Sequence, residues 1–243
     1  MSLLDETKDL FRCTPIQPGE NIVVHIQGKT NPQKHVILGV HYDCTDGPGA
    51  NDNATGIATA LEAARLLKSG SFDYSIDIVF FTGEEIEDAG SKAFLGSLSK
   101  ADKNNIEGVF IVDMIGNNQS PQEPHNADGS FAPEDLDIMA DESNPGSVAL
   151  EQATQTEIHQ ALSLPSTTSN NTDSSSDNDE FQAAGLPTVL FSEDRVAETR
   201  RDNPYFNTQA DTVDKIDFNF FPQAARAVII ATADAAKPQG KRI

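Results

Sequence analysis

The stretch Val36-Ile-Leu-Gly-Val-His41-Tyr-Asp43, running on into Cys44-Thr-Asp-Gly-Pro-Gly-Ala-Asn-Asp52-Asn-Ala-Thr-Gly56, decides how the rest of the chain reads. An apolar run is cut off by a histidine and an aspartate. A Gly/Pro-rich turn then brings a second aspartate, and a helical pattern begins there. The physical reading is a buried strand presenting an imidazole at its end, with a loop returning a carboxylate to the same place. Imidazole and carboxylate together suit a divalent metal such as zinc. His41 and Asp43 are two positions apart and share a face along a strand, which suits an aspartate that buttresses the histidine ring.

Outward from this stretch the chain alternates strands and helices. Asn21 to Ile26 is β-branched and strand-like, and the turn Gly28-Lys-Thr-Asn-Pro32 leads into residues 36–40. These two runs are expected to be neighbouring strands, the second apolar on both faces and therefore central. His25 and His35 flank that hairpin as surface or edge residues. Asp52 or Asn53 can cap a helix running to about Leu67, with Ile57, Ala60, Leu61, Ala64 and Leu67 on its packing face. A second buried strand, Ile76 to Thr82, ends in Gly83-Glu84-Glu85, and Gly90-Ser91 opens a helix through about Leu98. A third strand, Glu107 to Gly116, carries Asp113 near its end. This order predicts a largely parallel sheet with helices on its faces.

The second half is more polar. Residues 117–145 and 166–179 read as long surface loops on either side of a helix near 146–162. A helical turn at Phe181–Gly185, a strand at Leu186–Phe191 and a last helix opening at Pro222 complete the reading. That helix packs Ala225, Val228, Ile229 and Ala233. There are no internal repeats, and residues 1–243 are expected to form one domain with residues 1–19 as a tail.

Composition narrows the function classes. Acidic residues number 38 against 17 basic, a net charge of −21, which argues against nucleic-acid and anionic-membrane partners. No apolar run approaches the roughly 20 residues of a membrane span, and the acidic start, Met1-Ser-Leu-Leu-Asp-Glu, carries no signal peptide. Two cysteines, Cys13 and Cys44, are too few for a disulfide framework or a zinc–thiolate site, and Cys44 reads as a small buried filler.

Three predicted strands thus end in candidate ligands: His41 with Asp43, Glu84 with Glu85, and Asp113. Groups at the carboxyl ends of adjacent strands converge in such sheets. Asp52 joins them from its loop. Packed together without a cation, these acids would repel and raise one another's proton affinity. One or two divalent ions remove that conflict. The set suits a two-metal hydrolytic site, with one aspartate bridging ions about 3.5–4 Å apart and a metal-held water as nucleophile. Of Glu84 and Glu85, one would ligate and the other act as general base. The residues alone do not say which.

The stretches HYDCTDGPGANDNATGIA (41–58), FFTGEE…GS (80–91), VDMIG (112–116), SDN…F…AGLPTVLF (176–191) and NPYFNTQADTVDKID (203–217) resemble, in order, the zinc aminopeptidases of metallopeptidase family twenty-eight, of the bacterial leucyl aminopeptidase type. The resemblance implies a three-layer α/β/α sandwich on a mixed, mostly parallel sheet and two co-catalytic zinc ions. By position it implies that His41 and Asp113 ligate one zinc, Asp52 bridges both, Glu85 ligates the second, Glu84 is the general base and acid, and Asp43 orients His41. It also implies peptide substrates and a secreted or periplasmic location.

The chain departs from the family pattern near the second zinc. Asn207 stands where the last histidine ligand is usual, Asn178 where a Ser-Asp-His stretch has histidine, and Ile86-Glu87-Asp88 follow the glutamate pair in place of a glycine and an apolar residue. An amide oxygen is neutral and a poorer zinc ligand than imidazole. The alternatives are a weakened second site completed by Asn207 or water, a single tight zinc on His41, Asp52 and Asp113, or an inactive binding protein on a peptidase scaffold. His125 and His159 read as surface residues rather than substitute ligands. Carboxypeptidase and glutaminyl cyclase activities are further alternatives on the same fold.

Overall fold

A computed structural model describes residues 19–45, 47–117, 136–162, 166–170, 176–193 and 203–240. Residues 1–18 of the predicted tail, with Cys13, and most of the 117–145 stretch, with His125, lie outside these residues. Seven strands form one sheet: β1 (Ile22–Ile26), β2 (Asn31–His41), β3 (Tyr74–Phe81), β4 (Ile106–Val112), β5 (Leu136–Ala140), β6 (Ser166–Asn170) and β7 (Thr188–Glu193). Their spatial order is β1-β3-β2-β4-β7-β5-β6. β3, β2, β4 and β7 run parallel at the centre, β1 is antiparallel to β3, and β5 is antiparallel to β7. The sheet is mixed, as expected.

The order around β2 sets the layers. The chain leaves β2 for β3 on one side, through α1 (Ala54–Leu67). It then crosses from β3 over β2 to β4, through α2 (Ala89–Ser97) and α3 (Lys100–Lys103). Right-handed crossovers in opposite directions place their helices on opposite faces. α1 packs on one face with α4 (Pro145–Ala161) and α6 (Phe221–Ala235), over Val36, Leu38, Val40, Ile76, Ile78, Phe110 and Phe191. On the other face α2 and α5 (Asn178–Ala183) cover Ile37, Val79, Phe81, Val109, Ile111 and Leu190 through Leu95 and Phe181. Alternate residues of β2 therefore feed two cores, which is why this strand reads as continuously apolar.

Three local expectations are corrected. β1 does not neighbour β2, because β3 lies between them. The turn at 28–32 is captured by the segment leading into β3: the amides of Lys29 and Asn31 donate to the carbonyls of Phe72 and Asp73, each at 2.8 Å. Gly28 is required there, since a Cβ would sit 2.5 Å from the Tyr74 backbone carbon. The supposed loops 117–145 and 166–179 contain β5 and β6, which pair with each other in parallel. β6 is the polar run Ser-Thr-Thr-Ser-Asn on a sheet edge, and such a strand carries no hydrophobic alternation to announce it. The buried face of α1 is Thr55, Thr59, Ala60, Ala63 and Leu67, and Leu61 is 58% exposed. Small residues on that face admit Ala224, Ala227, Val228 and Ala231 of α6 at close range.

Candidate metal centre

His41 is the last residue of β2, at the point where the connections diverge to the two sides. Open α/β sheets place ligands in the crevice at that point. Its Nδ1–H donates to the Asp43 backbone carbonyl at 3.1 Å. Because a carbonyl only accepts, this bond leaves Nε2 to face the other groups. Nε2 lies 3.3 Å from Oδ1 of Asp52 and 3.3 Å from Oδ1 of Asp113. All three residues are buried, and their ligand atoms lie within 4.8 Å of one another.

Asp52 is positioned by its loop rather than by a strand. The Asp211 carboxylate accepts from the amides of Asn51 at 2.9 and 3.1 Å and of Asp52 at 3.0 Å. Asn53, not Asp52, caps α1: its side chain accepts from the Gly56 amide at 3.0 Å and donates to the Val112 carbonyl at 2.8 Å. Asn51 reaches Glu193 on β7 at 2.8 Å and accepts from the Gly116 amide, also at 2.8 Å. The loop is thereby fastened to β4, β7 and the segment around residue 211. The peptide bond between Asp52 and Asn53 is cis.

Asp43, predicted to buttress His41, meets the ring through its backbone rather than its side chain. Its carbonyl holds His41, while its carboxylate is 3.8 Å from the ring and accepts instead from the amides of Glu84 and Glu85, each at 3.1 Å. The turn that presents the glutamates starts at Gly83, with φ of +69°, a value that suits glycine. Glu85 also accepts from the Thr45 amide at 3.2 Å, and the Thr45 hydroxyl donates to Asn207 Oδ1 at 2.6 Å. Asn207 is thus one residue removed from Glu85, exposed, and in a left-handed conformation that asparagine tolerates (φ 53°). Asn178 is fully buried and donates to Asp179 at 3.0 Å. His159 is exposed on α4, bonded to Ser166 at 3.1 Å. Cys44 is buried as expected, but it is disulfide-bonded rather than a plain filler.

The acids are in electrostatic conflict. Burial, reinforced by the charges of Asp113, Asp177 and Glu85, pushes Glu84 up to about 10. Burial and the charge of Asp52 raise Glu85 to about 7. Burial and the charges of Asp113 and Asp211 raise Asp52. Burial also takes Asp177, which is fully enclosed, to about 7. Burial would lower His41, yet its contacts with Asp113, Asp43 and Asp52 hold it well above its ordinary value. Such a cluster fits a cation on both counts. The donor set is one that zinc prefers, and the 3.3 Å separations match the roughly 3.3 Å edge of a tetrahedron with ligands at about 2.0 Å. Asp211 and Asp177 were missed as positioned acids, although each lies inside a motif quoted above.

A buried imidazole between two carboxylates, with two more carboxylates at the next strand end, is a donor arrangement that can hold a divalent cation. The chain belongs to peptidase family M28, whose model matches residues 21–232. Aminopeptidase YwaD of Bacillus subtilis is 28% identical over 212 residues, covering 85% of this chain and 42% of that protein. Probable aminopeptidase YDR415C of Saccharomyces cerevisiae is 25% identical, covering 86% of this chain and 55% of its own. The chain therefore spans about half the length of these curated relatives. The crystal structure of a zinc aminopeptidase from Bacillus subtilis superposes with a TM-score of 0.75 at 26% identity, covering 91% of this chain and 51% of the other.

Proposed function

We propose that this chain is a zinc-dependent exopeptidase that removes N-terminal residues from peptides. The observation that carries the reading is the burial of His41, Asp52 and Asp113 around one point, with the Glu84–Glu85 turn hung from Asp43 beside it. His41 and Asp113 would hold one zinc, Asp52 would bridge, and Glu85 with Asn207 would hold the second. Bound zinc polarises a carbonyl and lowers the proton affinity of water. Glu84 takes a proton from the water that adds to the scissile carbonyl, and returns it to the leaving nitrogen as the C–N bond breaks. Nearby carboxylates receive the free α-amine of the substrate. The Cys44 disulfide supports an oxidising, secreted or periplasmic setting. Hydrolysis of aminoacyl-anilides and free-amine peptides, with none of N-blocked peptides, is the expected result. Cleavage restricted to C-terminal residues, or cyclisation of N-terminal glutamine, would replace this reading with a carboxypeptidase or a cyclase.

One observation favours a second reading. The Asn207 amide oxygen already accepts from Thr45, which weakens it as a ligand and fits a site with one tight ion. Asn207→His is expected to raise bound zinc from about one toward two equivalents and to increase turnover, read by metal analysis beside a peptidase assay. Unchanged stoichiometry and rate would mean that the second site is completed by another group. A parent protein with no hydrolytic activity at any zinc level would leave a binding role on a peptidase scaffold.

A further inference from the structure

We propose that His25, His35 and Asp77 form a separate divalent-cation site that ties the edge strand β1 to β3 and β2. The three residues come from three adjacent strands in the order β1-β3-β2. His25 is the register partner of Asp77, while His35 pairs with Ser75, two positions along β3 on the same face. Each imidazole directs Nδ1 at a different oxygen of one carboxylate, His25 to Oδ1 and His35 to Oδ2, both at 2.6 Å. The two rings lie 6.0 Å apart, tilted by 39°. One ligand atom from each residue falls within 4.8 Å of the others.

Two imidazoles and a carboxylate suit zinc, nickel, cobalt or copper rather than magnesium or calcium. The cluster is open enough to load an ion and to let water complete its coordination: side-chain exposure is 47% for His25, 29% for His35 and 15% for Asp77. In a tetrahedral zinc site the ligand atoms stand about 3.3 Å apart. The contacts of His25 and His35 with Asp77, each at 2.6 Å, need to open by less than about 1 Å, which small rotations of the two partly exposed imidazoles supply. Asp102 adds a negative charge near His35, and the charge of the neighbouring Lys34 is balanced by Glu107 at 2.7 Å. The site is distinct from the first. Asp77 lies four residues before Phe81, the register partner of His41, or about 13 Å back along the strand.

The consequence is mechanical. Among the described strands β1 pairs with β3, and an ion shared with β2 would fasten it across its neighbour. The test is zinc titration by equilibrium dialysis on the parent, a His25→Ala/His35→Ala variant and a His41→Ala variant, with melting temperature followed in parallel. The double variant is expected to bind one equivalent fewer than the parent while keeping its peptidase rate. The His41→Ala variant is expected to retain that equivalent and still gain melting temperature on zinc addition. Equal zinc stoichiometry in the parent and the double variant would overturn the proposal. If the double variant does not fold, His25→Gln alone, at a half-exposed position, gives the same comparison. The zinc stoichiometries and melting temperatures can be read whether or not the His41 site hydrolyses peptides.

Discussion

Glu84→Gln is expected to lower kcat by about 10²–10⁴-fold, the contribution of a positioned general base, with KM and bound zinc nearly unchanged. The substitution keeps the shape of a partly buried side chain, and the backbone amide of residue 84 still donates to Asp43. What disappears is the carboxylate that the proposed mechanism uses to accept and return a proton. Removing one of several crowded acids should also make the metal-free protein more stable, since Glu84 is raised to about 10 by burial and by Asp113, Asp177 and Glu85. Steady-state kinetics, zinc analysis and a thermal melt on the same preparation separate these effects. A fall in kcat of less than about tenfold would remove Glu84 from the proposed role.

Chelation is expected to abolish hydrolysis and to lower the melting temperature, by more at about pH 8 than at about pH 5. Glu85 titrates near 7 and Glu84 near 10 in the folded chain, against an ordinary glutamate value of 4.5. A carboxyl raised in this way contributes stability below its unfolded value and loses it as pH rises through the folded value. Asp52 and Asp177 are raised too, and His41, also raised, loses stability in the same sense. Asp43 and Asp77 are lowered, His41 and the Glu84 and Glu85 amides acting on the first and the His35 and His25 bonds on the second, each against its own burial. Their stabilising contribution is complete above their unfolded value of 3.8, so it does not cancel the trend. The metal-free chain should therefore weaken from about pH 4.5 upward. A bound ion present at a thousand times its dissociation constant restores about 4 kcal/mol, or roughly 8–16 °C for a chain of this length. Scanning calorimetry with and without chelator at both pH values measures the gap. A gap as large at pH 5 as at pH 8 would contradict the electrostatic account.

The order of elements and the local half of the centre were legible because they rest on short-range signals. An apolar run that stops at His41, a Gly/Pro turn and an asparagine cap all lie within about twenty residues. The placement of β1 was not legible, because Gly28–Pro32 looks like a hairpin turn and only the later segment at Phe72–Asp73 shows that it is not. β6 was hidden by its polarity, and β5 by the long polar stretch in front of it. The structure brings together His41, Asp52 and Asp113, whose side chains alone suggested ligation. Asp211 and the carbonyl of Asp43 act by holding backbone, and Asp177 by adding buried charge, so spacing could not reveal them. The His25–His35–Asp77 contact depends on β3 entering between β1 and β2, the one pairing that was misread.

Asp43 joins two halves of the centre through one residue, its carbonyl on His41 and its carboxylate on the amides of Glu84 and Glu85. The His41 imidazole and the Glu84–Glu85 turn therefore hang from a common hinge pin. On slow heating, release of the ion and loss of turnover should fall in a single step, because whatever frees His41 also lets the glutamate turn drift. An enzyme of this build would inactivate abruptly, without first passing through a loaded but sluggish form.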